Sequence, residues 1–353
     1  MSPEMARHRA ALRLAFAATL ALLWGTMAGE PLPGLTAVLA AHVGMPRAPR
    51  PGQAPALVVV IAATGGAAYA VSAVFADRLP ILMAALGLLF FLGFAMRERA
   101  AGRPSLPATM LLNATAVVPV LTFQADILGA GVLETLVTAA IRAILVVWLL
   151  YALFPAPQEE PTIGAPAGAA PATGMPVTEQ RGTARTLAMV AIVLPAQLFY
   201  LAEPTALAFP ALLGLVTFLT AQDPAAGRVQ LLILLLGNLV GSVAAAAASA
   251  VLEVGPPLPA LTLMALLGSL GFAGWIMTRG GRPGGAVALT GLVTFLMLFG
   301  LAASPTPFEV PVLDRIVDIF VLSLYTVAAA TLFLPAAGPM VERDGRPLGG
   351  QFA

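Results

Sequence analysis

Cysteine and lysine are both missing from this chain of 353 residues, and histidine occurs only at His8 and His42. Without thiols there are no disulfides and no thiolate metal sites, and two histidines cannot form an imidazole cluster. No metal or cofactor is expected. Charge is scarce as well, at 10% of residues against the usual quarter in soluble domains. The chain has no GxxxxGK[ST] phosphate loop, no GxSxG elbow and no HExxH helix, so the common nucleotide-hydrolysing and hydrolytic enzymes lack their starting point. An enzyme is not expected, and neither is a nucleic-acid partner. There is also no potassium-filter-like run, and no cytoplasmic loop with the charged signature of the major facilitator group.

What is present is apolar. Hydrophobic residues make up 59% of the chain and the mean hydropathy is +0.93, values of a polytopic membrane protein with the lipid bilayer as its solvent. The 34 glycines and 31 prolines fit that class, because both residues are more frequent in membrane helices than in soluble ones. A helix needs about 20 residues to cross a hydrocarbon core of roughly 30 Å. Twelve segments come close, near 10–28, 32–45, 56–76, 79–96, 107–124, 132–153, 185–202, 205–221, 229–252, 258–277, 284–303 and 312–334. The second is short enough to be tilted or partly re-entrant. The first resembles a signal peptide but lacks a small-x-small cleavage site, so it is read as a retained helix.

Loop charge gives an independent test of the count. With the N-terminus inside, the inner loops and ends hold Arg7, Arg9, Arg13, Arg47, Arg50, Arg97, Arg99, Arg103, Arg181, Arg185, Arg228, Arg279, Arg282, Arg343 and Arg346, whereas the outer loops hold only Arg78. That asymmetry predicts an even number of spans with both termini cytoplasmic, in a bacterial inner membrane. The two remaining arginines, Arg142 and Arg315, fall within the sixth and twelfth segments.

The chain also matches itself. Glu30-Pro31 returns as Glu203-Pro204, Leu79-Pro80 as Leu258-Pro259, Arg103-Pro104 as Arg282-Pro283, and Phe154-Pro155 as Leu334-Pro335. Matches in order at a nearly constant offset predict two parallel six-helix repeats in an all-α fold of about 12 transmembrane helices. The first repeat spans residues 1–154 and the second 185–335. Between them residues 155–184, rich in Pro, Ala and Gly, read as a flexible cytoplasmic linker, and 336–353 as a cytoplasmic tail. Small residues recur at every fourth place in the third span of each repeat, Ala62, Gly66 and Ala70, then Gly237, Gly241 and Ala245. That spacing predicts helix-packing seams.

Chemistry inside the bilayer is best sought at ionisable residues, which are costly there. Arg142 lies about ten residues into its span, near mid-membrane at about 1.5 Å per residue. Two readings stand side by side: it binds a ligand, or it pairs with an acid on a neighbouring helix to fix packing. The twelfth span opens with Asp314, Arg315 and Asp318, and Glu134 takes the slot of Asp314 in the sixth. Asp314 and Glu134 sit where a carboxylate gains from the helix dipole. Asp318, one turn deeper, is the candidate proton-titrating group. Asn113, Gln124, Gln197 and Asn238 are expected to hydrogen-bond neighbouring helices. Pro119 and Pro195 interrupt helices and free backbone carbonyls.

The stretches "RHRAALRLAFAATLALLWGTMAGEPLPGLTAVLAAHVG" and "LLNATAVVPVLTFQADILGAGVLETLVTAAIRAILVVWLLYALFP" resemble the fusaric acid resistance and aromatic acid exporter superfamily, in its compact branch. The likeness runs over most of residues 7–335 and rests on diffuse motifs: basic residues before the first span, a proline-containing first outer loop, an arginine in the sixth span and a terminal Phe-Pro. It implies efflux of small organic anions such as aromatic carboxylic acids, with Arg142 and Arg315 as the substrate-binding arginines. It also implies a periplasmic adaptor with an outer-membrane channel, and leaves room for a homo-oligomer. Long members carry a soluble cytoplasmic domain between their halves, and here only the linker stands there. A non-transporting scaffold or assembly subunit of an envelope complex is the alternative.

Overall fold

The structure is a computed structural model, and it describes residues 3–44, 48–100, 105–123, 131–155, 179–202, 209–220, 224–252, 258–280 and 282–304, with scattered positions from 317 to 333. These residues are mostly helical, with no strand among them. The helices are α1 (Pro3–Met27), α2 (Pro33–Gly44), α3 (Ala54–Val74), α4 (Leu79–Arg99), α5 (Leu106–Phe123), α6 (Val132–Leu153), α7 (Glu179–Ala202), α8 (Phe209–Thr220), α9 (Pro224–Leu252), α10 (Leu258–Thr278) and α11 (Pro283–Ala302). Nine of the described helices are long and apolar enough to cross a membrane, the make-up of a multi-pass membrane protein. The predicted twelfth span lies mostly outside the described residues; its described positions are helical.

Proline explains where many of these helices begin. Pro33, Pro55, Pro80, Pro107, Pro224, Pro259 and Pro283 each occupy the first or second residue of a helix, where a missing N–H costs nothing and a fixed φ is already helical. Of the dipeptides that mark the repeat in sequence, Leu79-Pro80, Leu258-Pro259 and Arg282-Pro283 are helix starts. The linker ends earlier than predicted: α7 begins at Glu179, because Glu179, Gln180 and Arg181 are good helix formers and extend the span by polar turns.

Two helices fall short. α2 and α8 have 12 residues each, about 18 Å of helix against roughly 30 Å of hydrocarbon.

The core is built by close packing of small residues. Helices α9 and α11 run parallel, with a Cβ at Gly237 falling 2.5 Å from Thr290 Cβ and one at Gly241 falling 2.4 Å from the Gly291 carbonyl oxygen. The small-residue spacing in α9 thus makes the predicted seam. α2 meets α11 as closely, Gly34 lying against the Leu296 carbonyl and Gly300. A stack of Phe272, Phe295 and Phe299, with ring centroids 5.9 and 5.4 Å apart, fills the space between α10 and α11.

Helix α1 packs on α2, α6 and α10, and α7 packs on α4, α5 and α8. At one end of the bundle the start of α1 meets the ends of α2 and α6. The Arg13 guanidinium stands 4.7 Å over the Tyr151 ring and donates to the Phe154 carbonyl at 3.4 Å, Tyr151 donates to the Gly44 carbonyl at 3.0 Å, and Trp148 donates to the Pro49 carbonyl at 2.8 Å. Arg185 at the start of α7 pairs with Glu98 at the end of α4, 3.5 Å apart.

Candidate functional site

The site begins with a helix ending. The Glu30 N–H donates to the Gly25 carbonyl at 2.9 Å and the Gly29 N–H to the Thr26 carbonyl at 3.1 Å, while Gly29 has φ of +68°. This is a Schellman ending of α1, which needs a left-handed residue at the place where Gly29 stands. Pro31 and Pro33 then prevent the helix from resuming and start α2. The order Gly-Glu-Pro-Leu-Pro therefore fixes Glu30 between two helix ends. Its carboxylate folds back over α1, and a Cβ at Gly25 would lie 2.6 Å from Glu30 Oε2, so only glycine leaves it room.

Arg142 reaches that carboxylate. α6 turns Ile141, Leu145 and Leu149 outward and packs Ala139, Ala143, Val146, Val147 and Leu150 inward; Arg142 stands at the border of the two faces. Its Nη1 donates to Glu30 Oε1. Thr36, in the first turn of α2, donates to Glu30 Oε2 at 2.7 Å. Both carboxylate oxygens are thus bonded, each by a different helix. The Glu30 side chain retains 6% of its exposure and Arg142 24%, so the acid is sealed and the base keeps an open side. Ser304, just past α11, donates to the Pro31 carbonyl at 3.3 Å and ties the same turn to the second half of the chain.

Arg142 is the eleventh of the 22 residues of α6, as its central placement requires. Yet it stands level with the last turn of α1 and the end of α11. The connection after α1, expected at the outer surface, instead meets α6 half-way along. The cause is the short α2, which starts beside Arg142 and ends beside Val147 and Tyr151.

The other sequence candidates separate from this cluster. Glu134 is exposed in the first turn of α6, about 12 Å along the helix from Arg142. Asp314, Arg315 and Asp318 lie outside the described residues, as does Gln124. Asn238 does pair with a neighbouring helix, accepting from Thr294 at 2.6 Å. Gln197 is fully buried, and neither amide atom has a partner among the described residues, a departure from the expectation. Three residues before Pro195, the Ile192 carbonyl accepts from Tyr325 at 2.9 Å. Burial raises the demand on each of these polar groups for a partner.

In the sequence Glu30 stands out only as part of the repeated Glu-Pro dipeptide, and no local signal links it to Arg142. No family model, curated protein or solved structure matches the chain. The functional reading therefore rests on the geometry above and on the resemblance in sequence.

Proposed function

We propose that the protein is an inner-membrane exporter of small organic anions, aromatic carboxylic acids among them, with Arg142 as the residue that holds the substrate carboxylate. The observation that carries this reading is that the Arg142 guanidinium already holds a carboxylate while keeping an open side. A guanidinium in a low-dielectric setting binds a carboxylate by charge-assisted, often bidentate, hydrogen bonds, and a charged residue placed there at a cost of about 2.5–3.5 kcal/mol is normally kept for a task. Arg315 is the corresponding residue of the second half in this proposal, and Asp318, with Asp314 and Glu134 assisting, the acid through which a proton gradient acts.

Several relations support a two-repeat, 12-helix organisation. The second helix of each half is the short one. The first helix of each half packs on the fourth of the other, α1 on α10 and α7 on α4, and the second on the fifth, α2 on α11 and α8 on α5. Glu203 and Arg315 stand as far apart in sequence as Glu30 and Arg142. The meeting of Arg13 with the ends of α2 and α6, and of Arg185 with Glu98, agrees with cytoplasmic termini, because loop charge assigns all of these to one side. A periplasmic adaptor, an outer-membrane channel and self-association belong to the same proposal.

The second reading has an observation of its own: Glu30 neutralises Arg142, so the pair can act purely as a clasp between α1, α2 and α6 in a non-transporting scaffold. Accumulation of labelled aromatic acids in cells producing wild type or Arg142→Ala at equal membrane abundance tests the exporter. Lower accumulation with wild type, lost in the variant, supports export; equal accumulation across the panel in the presence of a matching adaptor favours the scaffold.

A further inference from the structure

We infer that Glu30 is an internal competitor for the anion site, so that Arg142 takes up a substrate carboxylate only as Glu30 takes up a proton. This rests on the anion-binding reading of Arg142 given above and adds the rule by which the site loads. The empty site is already charge-balanced, one guanidinium against one carboxylate. A second carboxylate arriving at Arg142 would leave a surplus negative charge, and among the described residues no other cation is at hand to offset it. On α1 the charged side chains are Glu4, Arg7, His8, Arg9 and Arg13, all in its first 11 residues and remote from Gly25. α2 carries only His42, at its far end, and α10 and α11 carry no ionisable residue. α6 adds Glu134, an acid, two turns away.

With no countercharge within the described surroundings, the surplus is removed by protonating Glu30. The exchange balances: a proton adds to a Glu30 oxygen, the Arg142 contact to that oxygen breaks, and the substrate carboxylate takes the freed N–H groups. When the anion leaves, Glu30 gives up the proton and returns to Arg142. Thr36 stays with Glu30 in both states, since its hydroxyl can donate to the carboxylate or accept from the acid form. Loading is therefore electroneutral, acid favours it, and any proton antiport that drives export must use other carboxylates.

The test uses the full-length protein in lipid nanodiscs with [14C]benzoate as probe, between about pH 5.5 and 8, where benzoate stays ionised, at fixed ionic strength. In the wild type the affinity is expected to fall about tenfold per pH unit above the range in which Glu30 titrates in the empty site. Glu30→Gln is expected to bind benzoate at least roughly tenfold more tightly than wild type near pH 7.5, with no dependence on pH. Arg142→Gln should bind none. A flat wild-type profile with binding that requires Arg142 overturns the competition and leaves the anion site standing, as does a Glu30→Gln protein that folds but binds no better. Binding absent from wild type and Glu30→Gln alike, at every pH, overturns both. Should Glu30→Gln fail to fold, the wild-type profile decides alone.

Discussion

Thr294 donates a 2.6 Å hydrogen bond to Asn238 between two parallel helices whose backbones touch at Gly241 and Gly291. The contact and the bond stabilise the seam differently. Thr294→Val removes only the bond, and interhelical hydrogen bonds in membranes average about 0.6 kcal/mol, reaching about 1–2. Gly241→Val places a side chain where a Cβ already falls 2.4 Å from a carbonyl oxygen, and overpacking of this kind costs about 1–3 kcal/mol or more. Thermal unfolding in nanodiscs should rank wild type above Thr294→Val, and Thr294→Val above Gly241→Val.

Gly25 and Gly29 separate two ways of disturbing Glu30. A Cβ at Gly29 meets nothing within 4 Å, so Gly29→Ala bears only the left-handed backbone cost of about 1–2 kcal/mol. Gly25→Ala, in contrast, collides with the Glu30 carboxylate. It should lose more anion export than Gly29→Ala even where the two melt at similar temperatures, as paired transport and unfolding measurements will reveal.

Arg142→Lys keeps the charge but loses the planar fork. Export of aromatic acids is expected to fall by about tenfold or more, while stability drops by less than in Arg142→Gln, which leaves Glu30 buried without a cation at a cost of about 3 kcal/mol. A charge-swapped Glu30→Arg, Arg142→Glu protein gives the sharper comparison. Restored folding with export still absent marks a binding guanidinium; restoration of both marks a clasp.

The Arg185–Glu98 pair should matter little. Both side chains are partly exposed, at 33% and 22%, and such pairs are worth about 0–1 kcal/mol. Glu98→Ala is expected to shift the melting temperature by no more than a degree or two, and less in high salt.

Tyr325→Phe removes a bond to the carbonyl of Ile192, a loss of about 0.5–1.5 kcal/mol that thermal unfolding in nanodiscs should show as a lower melting temperature.

Much of this was legible in the chain. The apolar runs are the long helices, three of the repeat's Pro-containing dipeptides mark helix starts, and Arg142 stands out because the only other charge in its span is Glu134, in the first turn. The turn after α1 could be read as well, since a glycine followed two residues later by proline is a helix stop. What could not be read was its depth. A 12-residue α2 brings Glu30 to the middle of α6, and the partner of Arg142 lies 112 residues away, a separation that periodicity does not reach. The conserved-offset match of Glu30 with Glu203 flagged the residue for its position while its charge pointed to a solvated loop.

The packing of α1 on α10 has a consequence in time. α1 leaves the ribosome well before α10, one of its main partners, which is made more than 200 residues later. Until then an apolar face waits in lipid, and a bilayer, unlike water, lets it wait without aggregating. Non-local closure of this sort is slow, and it makes the two halves mutually dependent. Cutting the chain between residues 156 and 178 should therefore yield two fragments that are short-lived alone and recover each other when made together.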